Sequence, residues 1–93
     1  MTYVYILECA DGSYYTGWTT DLEQRVAAHN AGRGGRYTRS RRPVKLVYWE
    51  EHPDRRSAQR REVALKRLAR ARKSALISDF KLQDLGNLES PAP

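Results

Sequence analysis

The sequence predicts an α+β fold, a three-stranded antiparallel sheet flanked by helices in the order β-β-α-β-α-α. Two β-rich runs separated by Asp11-Gly12 are typical of a β-hairpin. The alternating run VKLVYWEE, residues 44–51, predicts a third strand. Helical signals follow the hairpin and again follow the third strand, so helices are expected to cover the sheet. A length of 93 residues favours a single domain.

The length of the hairpin loop decides which side chains share a face of the sheet. A two-residue loop at Asp11-Gly12 puts Tyr5 and Tyr15 on opposite faces. A three-residue loop at 10–12 puts them on the same face, because a slip of one residue flips every side chain. Both loops are physically allowed. If the two tyrosines act together, the three-residue loop is required, with Gly12 at positive φ.

The first helix has boundary signals at both ends. Thr20 and Glu23 have the spacing of a capping box, which predicts Thr20 as the N-cap and Glu23 at the third helical position. Gly32 suits a C-terminal cap. The helix is therefore predicted to lie between Thr20 and Gly32.

The inward face of this helix carries two polar residues. At about 100° per residue, Leu22, Val26 and His29 stack on one face, and Arg25 falls beside them. An inward arginine needs an anionic partner, because an uncompensated buried charge is costly. Arg25 is therefore hard to explain by packing, whereas His29 alone could equally be a satisfied core histidine.

The stretch GRGGRYTRSRRP, residues 32–43, shows no periodicity and is predicted to be a loop. It holds five arginines and three glycines. Arginine binds phosphate bidentately, and the glycines suit a loop that wraps a phosphate backbone. The alternative is a merely solvated loop. The residues expected to bind the phosphates of a nucleic acid are Arg33, Arg36, Arg39, Arg41 and Arg42.

The last part of the chain is predicted to be mainly helical. Asp54 or Ser57 can cap a long helix that runs to about Arg70. In that helix Glu62 falls on the edge of the apolar stripe, and Arg61 falls inside it. A short further helix is expected over KSALISDF. The domain is expected to span residues 1–80, followed by a C-terminal tail at 81–93.

Composition narrows the class of protein. The net charge is +6, and arginine supplies 13 of the 17 basic residues, so this small domain is a candidate for binding nucleic acid. The single Cys9 excludes a disulfide framework and favours a reducing cytoplasm. We expect neither a signal peptide nor a membrane span, because the sequence has no charged-then-apolar leader and no apolar run near the required length.

Five segments, taken in order, resemble the GIY-YIG nuclease superfamily. YVY and, after the hairpin loop, YTG are similar to its two half-motifs. DLEQRVAAHN resembles its first helix, which carries an arginine and, four residues on, a histidine or tyrosine. GRGGRYTRSRRPVKLVYWEE is similar to the small stand-alone bacterial members, and RREVALK to the helix with the metal-binding glutamate. The resemblance covers roughly residues 2–80.

This resemblance implies a GIY-YIG-like fold and a metal-dependent phosphodiester hydrolase that acts on DNA. In such families a tyrosine, or a water that it orients, activates the attacking water. An arginine holds the scissile phosphate, and a glutamate holds one divalent ion, Mg²⁺ or Mn²⁺. Carried over by position, the catalytic residues are Tyr5, Tyr15, Arg25 and His29, the metal ligand is Glu62, and Gly17 lets backbone approach the site.

The general base is open at this stage. Tyrosine has an unperturbed pKa near 10, so a tyrosine base needs a nearby cation to lower its pKa. Arg25 and the metal could supply that positive charge. His29 is an alternative base, because the pKa of histidine is better matched to neutral pH.

Two functions from different classes fit these residues. The first is a DNA endonuclease that serves DNA repair or recombination. The alternative is a non-catalytic nucleic-acid-binding module on the same fold. Glu62 and both tyrosines favour the nuclease, because a degenerate binder could lose them. RNA is a weaker third candidate as substrate, since phosphate contacts alone do not distinguish the two polymers.

Overall fold

The computed structural model describes the backbone of residues 1–89 and the side chains of residues 1–82. It confirms the α+β class and the three-stranded antiparallel sheet. The loop before the third strand contains one additional turn of helix. The elements in chain order are β1 (Thr2–Glu8), β2 (Tyr14–Thr19), α1 (Leu22–Asn30), α2 (Arg36–Arg39), β3 (Lys45–His52), α3 (Arg55–Lys66) and α4 (Arg70–Glu89).

The sheet has the strand order β2-β1-β3. The central strand β1 pairs antiparallel with both neighbours, so β2 and β3 run parallel to each other on either side of it. The pairing of β1 with β3 runs from Thr2 opposite His52 to Glu8 opposite Lys45, with a register shift after Ile6. A central strand is buried on both faces, which explains why β1 reads as a nearly continuous apolar run.

The hairpin between β1 and β2 has the three-residue loop. The amide of Cys9 donates to the carbonyl of Ser13 at 2.8 Å. Gly12 takes φ +84°, a left-handed conformation that favours glycine. The register puts Tyr5 opposite Gly17 and Leu7 opposite Tyr15. The prediction that Tyr5 and Tyr15 share a face is therefore confirmed.

Helix α1 begins one residue later than the capping box predicted. Its N-cap is Asp21, whose carboxylate accepts a hydrogen bond from the amide of Gln24 at 3.1 Å. The prediction of Thr20 as N-cap, with Glu23 at the third position, was wrong, because the adjacent Asp21 has an equally good capping oxygen. The predicted cap at the other end holds, since Gly32 follows the helix at φ +84°.

The core lies on both faces of the sheet. On one face, α1 packs through Leu22 and Val26 against a cluster that includes Tyr5 and Leu7. On the other face, α3 and α4 pack against the alternate residues of β1. The buried residues of this second face are Val4 and Ile6 from β1, Ala58 and Leu65 from α3, Val47 from β3 and Ile77 from α4.

Helix α3 is capped by Asp54, whose carboxylate accepts from the amide of Ser57 at 2.8 Å. The helix ends at Lys66, earlier than the predicted end near Arg70. Arg61 falls inside the apolar stripe of this helix. Its Nε donates a hydrogen bond to Glu50 at 2.8 Å. It therefore ties α3 to β3 by an ion pair.

Helix α4 is longer than the short helix predicted from the sequence. It runs from Arg70 to Glu89 and so continues through the position where the tail was expected to begin. The rest of that predicted tail, residues 90–93, lies outside the described residues. Within residues 1–89, no helix is both long and apolar enough to cross a membrane.

Candidate active site

Arg25 extends from α1 into the space between the helix and the sheet. Its Nε donates to the hydroxyl of Tyr5 at 3.4 Å, and its Nη2 donates to the carbonyl of Gly34 at 3.0 Å. Both partners are neutral acceptors. Among the residues that the structure describes, no carboxylate forms an ion pair with this guanidinium. Arg25 is therefore a partly buried cation in a fixed position, and its positive charge is available to an anion.

His29 is fully buried one turn further along α1. Its Nε2 is hydrogen-bonded to the Tyr5 hydroxyl at 3.0 Å, and its Nδ1 to Thr38 Oγ1 at 2.7 Å. Burial lowers the pKa of His29, and the nearby charge of Arg25 lowers it further. The fold therefore favours the neutral ring over the charged one, and both ring nitrogens are hydrogen-bonded.

Tyr5 and Tyr15 meet this pair from the sheet. Their ring centroids are 6.5 Å apart, and the Tyr15 ring lies 5.1 Å from that of His29 in an edge-on arrangement. Tyr5 is only 1% exposed. Burial raises its pKa and outweighs the hydrogen bond from Arg25, which lowers it. Arg25 therefore lowers the pKa of Tyr5 as expected, but by less than burial raises it.

Two glycines allow this close packing. A Cβ at Gly17 would lie 2.5 Å from the Tyr5 hydroxyl. A Cβ at Gly34 would lie 2.0 Å from Nδ1 of His29. Real Cβ atoms essentially never approach other atoms this closely. The absence of a side chain at Gly17 therefore lets β2 lie against the Tyr5 hydroxyl, and its absence at Gly34 lets the backbone before α2 lie against His29.

Glu62 projects from α3, which packs against β1 and β2. Its negative charge is close enough to contribute to the raised pKa of Tyr5. Its side chain is 19% exposed, and its nearest cation is Lys66 Nζ at 3.8 Å, the pair that is ordinary for a helical glutamate. That separation is longer than a hydrogen bond, so the carboxylate oxygens stay available.

The family resemblance implies a divalent ion, and in the described part of the chain the side chains that could bind one are few. No cluster of three or more histidine, cysteine, aspartate or glutamate side chains with metal-binding geometry occurs among the described residues. A closed zinc-type site is therefore not built by this part of the chain. Mg²⁺ often uses one or two carboxylates and completes its shell with water and substrate phosphate. The single available carboxylate of Glu62 fits that requirement.

Two site residues were missed by the sequence analysis, and both lie in α2. Thr38 is fully buried and hydrogen-bonded to His29. Tyr37 stacks on Tyr15, with ring centroids 6.0 Å apart and an interplanar angle of 26°, and is 39% exposed. A one-turn helix is too short to show a helical period, so the pattern gave no signal. The one available hint was an aromatic residue between the loop arginines.

The arginines of residues 32–43 divide into two groups. Arg41 pairs with Asp11 at 3.1 Å and lies over the ring of Tyr37. Arg42 donates to backbone carbonyls, including that of Arg39 at 2.9 Å. Both therefore hold the segment in place. Within the described part of the chain, the remaining three are exposed and form no ion pair, and these are Arg33, Arg36 and Arg39.

The family model of the GIY-YIG catalytic domain matches residues 1–75, most of the chain. The match includes both strands with the tyrosines, the arginine and histidine of α1, and the glutamate of α3. The chain therefore belongs to the GIY-YIG nuclease domain family, which confirms the resemblance noted in the sequence.

The relatives that the chain resembles include small UPF0213 proteins. It is 54% identical to a UPF0213 protein of Clostridium perfringens over 84 residues, which cover 90% of each chain. It is 54% identical to one of Halobacterium salinarum over 76 residues, 82% of this chain and 99% of the relative. The fold is similar to the solution NMR structure of a UPF0213 protein from Bacillus halodurans, with 48% identity, a TM-score of 0.54 and 84% of each chain covered.

Proposed function

We propose that this protein is a metal-dependent DNA endonuclease. The observation that carries the proposal is Arg25, a partly buried cation held by two neutral acceptors beside two tyrosines and a histidine. A folded domain rarely keeps a fixed charge of this kind unless an anion uses it. The scissile phosphodiester is the anion that the family membership and the net charge of +6 both favour.

Phosphodiester hydrolysis adds negative charge to the phosphate in the transition state. A fixed guanidinium at that position lowers the barrier electrostatically, because the group needs no reorganisation when the charge develops. The hydrogen bonds of Arg25 to Tyr5 and Gly34 supply this fixed orientation. Arg25 is therefore assigned to holding the scissile phosphate.

Glu62 is assigned to the divalent ion, Mg²⁺ or Mn²⁺. When bound, such an ion supplies Lewis-acid stabilisation of the phosphate oxygens. Two observations support this assignment. The carboxylate of Glu62 is available, and its negative charge contributes to the raised pKa of Tyr5. The pair with Lys66 is long and partly exposed, so it competes weakly for the carboxylate.

The two tyrosines are assigned different tasks. Tyr5 is buried and its pKa is raised by that burial, so it is poorly suited to take a proton directly from water. Tyr15 is partly exposed, and its hydroxyl has no hydrogen-bond partner among the described residues. Tyr15 is therefore the better placed of the two to orient the attacking water. His29 is assigned a supporting role that holds Tyr5 in place, because both of its ring nitrogens are already hydrogen-bonded.

DNA contact is assigned to Arg33, Arg36 and Arg39, which are exposed in α2 or shortly before it. Phosphate contacts fix the position of a protein on the duplex but carry little sequence information. We therefore propose that the enzyme recognises DNA structure rather than base sequence, as suits a role in repair or recombination. The buried free thiol of Cys9 supports a setting in the reducing cytoplasm.

A nicking assay with supercoiled plasmid, with and without Mg²⁺, tests the proposal. The change Glu62→Gln should abolish Mg²⁺-dependent cleavage and leave the fold and most DNA binding intact, because the amide keeps the shape but loses the charge that holds the ion. Lys66→Gln is the matched control, since it removes only the partner of Glu62, and it should retain activity. If Glu62→Gln cuts DNA as fast as the parent protein, the nuclease assignment is wrong and the non-catalytic binding module replaces it.

A further inference from the structure

A row of three hydrogen-bonding groups runs from the buried side of α2 to the sheet. Thr38 Oγ1 lies 2.7 Å from His29 Nδ1, and His29 Nε2 lies 3.0 Å from the hydroxyl of Tyr5. In their neutral forms these groups bring three hydrogens, one each from Thr38, His29 and Tyr5. Only two links join them. One hydrogen must therefore point away from the row.

Two arrangements of the hydrogens satisfy both links. In the first, Tyr5 donates to Nε2 of His29, Nδ1 donates to Thr38, and the threonine hydrogen is left over. In the second, Thr38 donates to Nδ1, the Nε2–H donates to Tyr5, and the tyrosine hydrogen is left over. The two arrangements correspond to the two tautomers of His29.

The surroundings of the row's two ends distinguish these arrangements. Thr38 is fully buried, and its hydroxyl has no acceptor other than His29 within the described residues. A buried hydrogen-bond donor without an acceptor costs about 1–3 kcal/mol. The hydroxyl of Tyr5 instead lies beside Arg25, which is partly exposed. An anion or a water held at that guanidinium can accept the tyrosine hydrogen.

We infer that Thr38 is a positioning residue that holds His29 in its Nε2–H tautomer, so that Tyr5 accepts from His29 and directs its own hydrogen toward the group bound at Arg25. His29 then serves as a donor to Tyr5 rather than as the base that takes its proton. The tautomer follows from the geometry alone, whereas its use toward a phosphate rests on the proposed nuclease function.

The tautomer can be measured without any activity assay. NMR of protein labelled with ¹⁵N in histidine distinguishes a protonated from an unprotonated ring nitrogen. His52→Gln leaves His29 as the one histidine and so assigns its signals. We expect His29 to carry its hydrogen on Nε2 at neutral pH. A hydrogen on Nδ1 in the folded protein would overturn the inference.

The role of Thr38 is tested with two variants. Thr38→Val keeps the shape and removes the hydroxyl, so His29 should lose its single tautomer. Thr38→Ser keeps the hydroxyl and should preserve it. With plasmid DNA, Thr38→Val should lower kcat by about 10- to 100-fold with little change in KM, similar to losing the partner that orients a metal-ligating histidine. Thr38→Ser should restore most of the rate.

The outcomes separate the two proposals. If the parent protein shows the Nε2–H tautomer but cuts no DNA, the tautomer assignment stands and the nuclease assignment fails. If the parent cuts DNA and Thr38→Val is as active as Thr38→Ser, the positioning role is refuted and the nuclease assignment stands. Thermal unfolding of both variants shows whether any lost rate comes from a lost fold.

Discussion

Replacing Gly17 by alanine should break the packing on which the proposed site depends. The added Cβ would lie 2.5 Å from the hydroxyl oxygen of Tyr5 and 2.7 Å from its Cζ, both below the 3.0 Å that real Cβ contacts respect. The phenol cannot simply retreat, because His29 lies behind its hydroxyl at 3.0 Å and Arg25 at 3.4 Å. The ring or strand β2 must therefore shift.

The expected size of this effect follows from the cost of overpacking a closed site. Such insertions cost about 1–3 kcal/mol. In a domain of this size, 1 kcal/mol corresponds to roughly 4–8 °C in Tm. We therefore expect Gly17→Ala to lower Tm by roughly 4–24 °C. Because the shift displaces Tyr5 from His29, plasmid nicking should also fall at temperatures where the variant is still folded.

Gly12→Ala is the matched control for this substitution. Gly12 has φ +84°, so alanine there is strained, but no atom lies within 4 Å of its added Cβ. It should lose about 1–2 kcal/mol of stability through the backbone and keep its nicking rate while folded. The double variant Gly17→Ala with Tyr5→Phe should recover part of the stability, since the shortest contact disappears. A Tm of Gly17→Ala equal to that of the parent would refute the steric reasoning.

Three further predictions concern charge. Arg25→Ala should reduce cleavage by about 10²–10³-fold, as removal of one transition-state contact does, and should not destabilise the fold; a variant with the parent's nicking rate would contradict this role. Arg36→Ala should reduce the salt slope of DNA binding by about one unit or less, whereas Arg42→Ala should change stability more than slope; equal slopes in filter binding would contradict this division. The pKa of His29 is lowered in the folded protein, so its contribution to stability is present above the unfolded pKa near 6.5 and is lost as the pH falls. Urea unfolding should show a loss of up to about 1.4 kcal/mol per pH unit below that value, and His29→Gln should remove this part of the slope.

The sequence was most informative where a pattern has a single physical solution. The two possible hairpin loops differ in whether Tyr5 and Tyr15 share a face of the sheet. The hypothesis that these tyrosines cooperate therefore selected the three-residue loop, which the structure has. The inward direction of Arg25 and His29 followed from helical periodicity in the same way. The start of α1 was less certain, because Thr20 and Asp21 are both good capping residues and local sequence does not choose between neighbours.

The sequence was least informative where a role depends on contacts between distant residues. Arg61 looked misplaced in an apolar stripe until its partner Glu50 was found on β3. Glu50 also accepts hydrogen bonds from Tyr48 and His52, and these bonds together outweigh the effect of burial and lower its pKa. No helical period contains information about such a partner. The contact of Thr38 with His29 was not predictable for the same reason, since it joins α2 to α1 across the irregular stretch between them.

The segment of residues 32–43, predicted to be a loop that wraps a phosphate backbone, orders much of the candidate site. Gly34 supplies the carbonyl that fixes Arg25, Thr38 supplies the partner of His29, and Tyr37 covers the ring of Tyr15. A salt bridge between Arg41 and Asp11 anchors this segment to the hairpin loop of the sheet. The same segment carries the exposed arginines assigned to DNA. Binding of a phosphate backbone there would therefore act on the residues that orient the proposed catalytic side chains, so substitutions in this segment should change kcat as well as affinity.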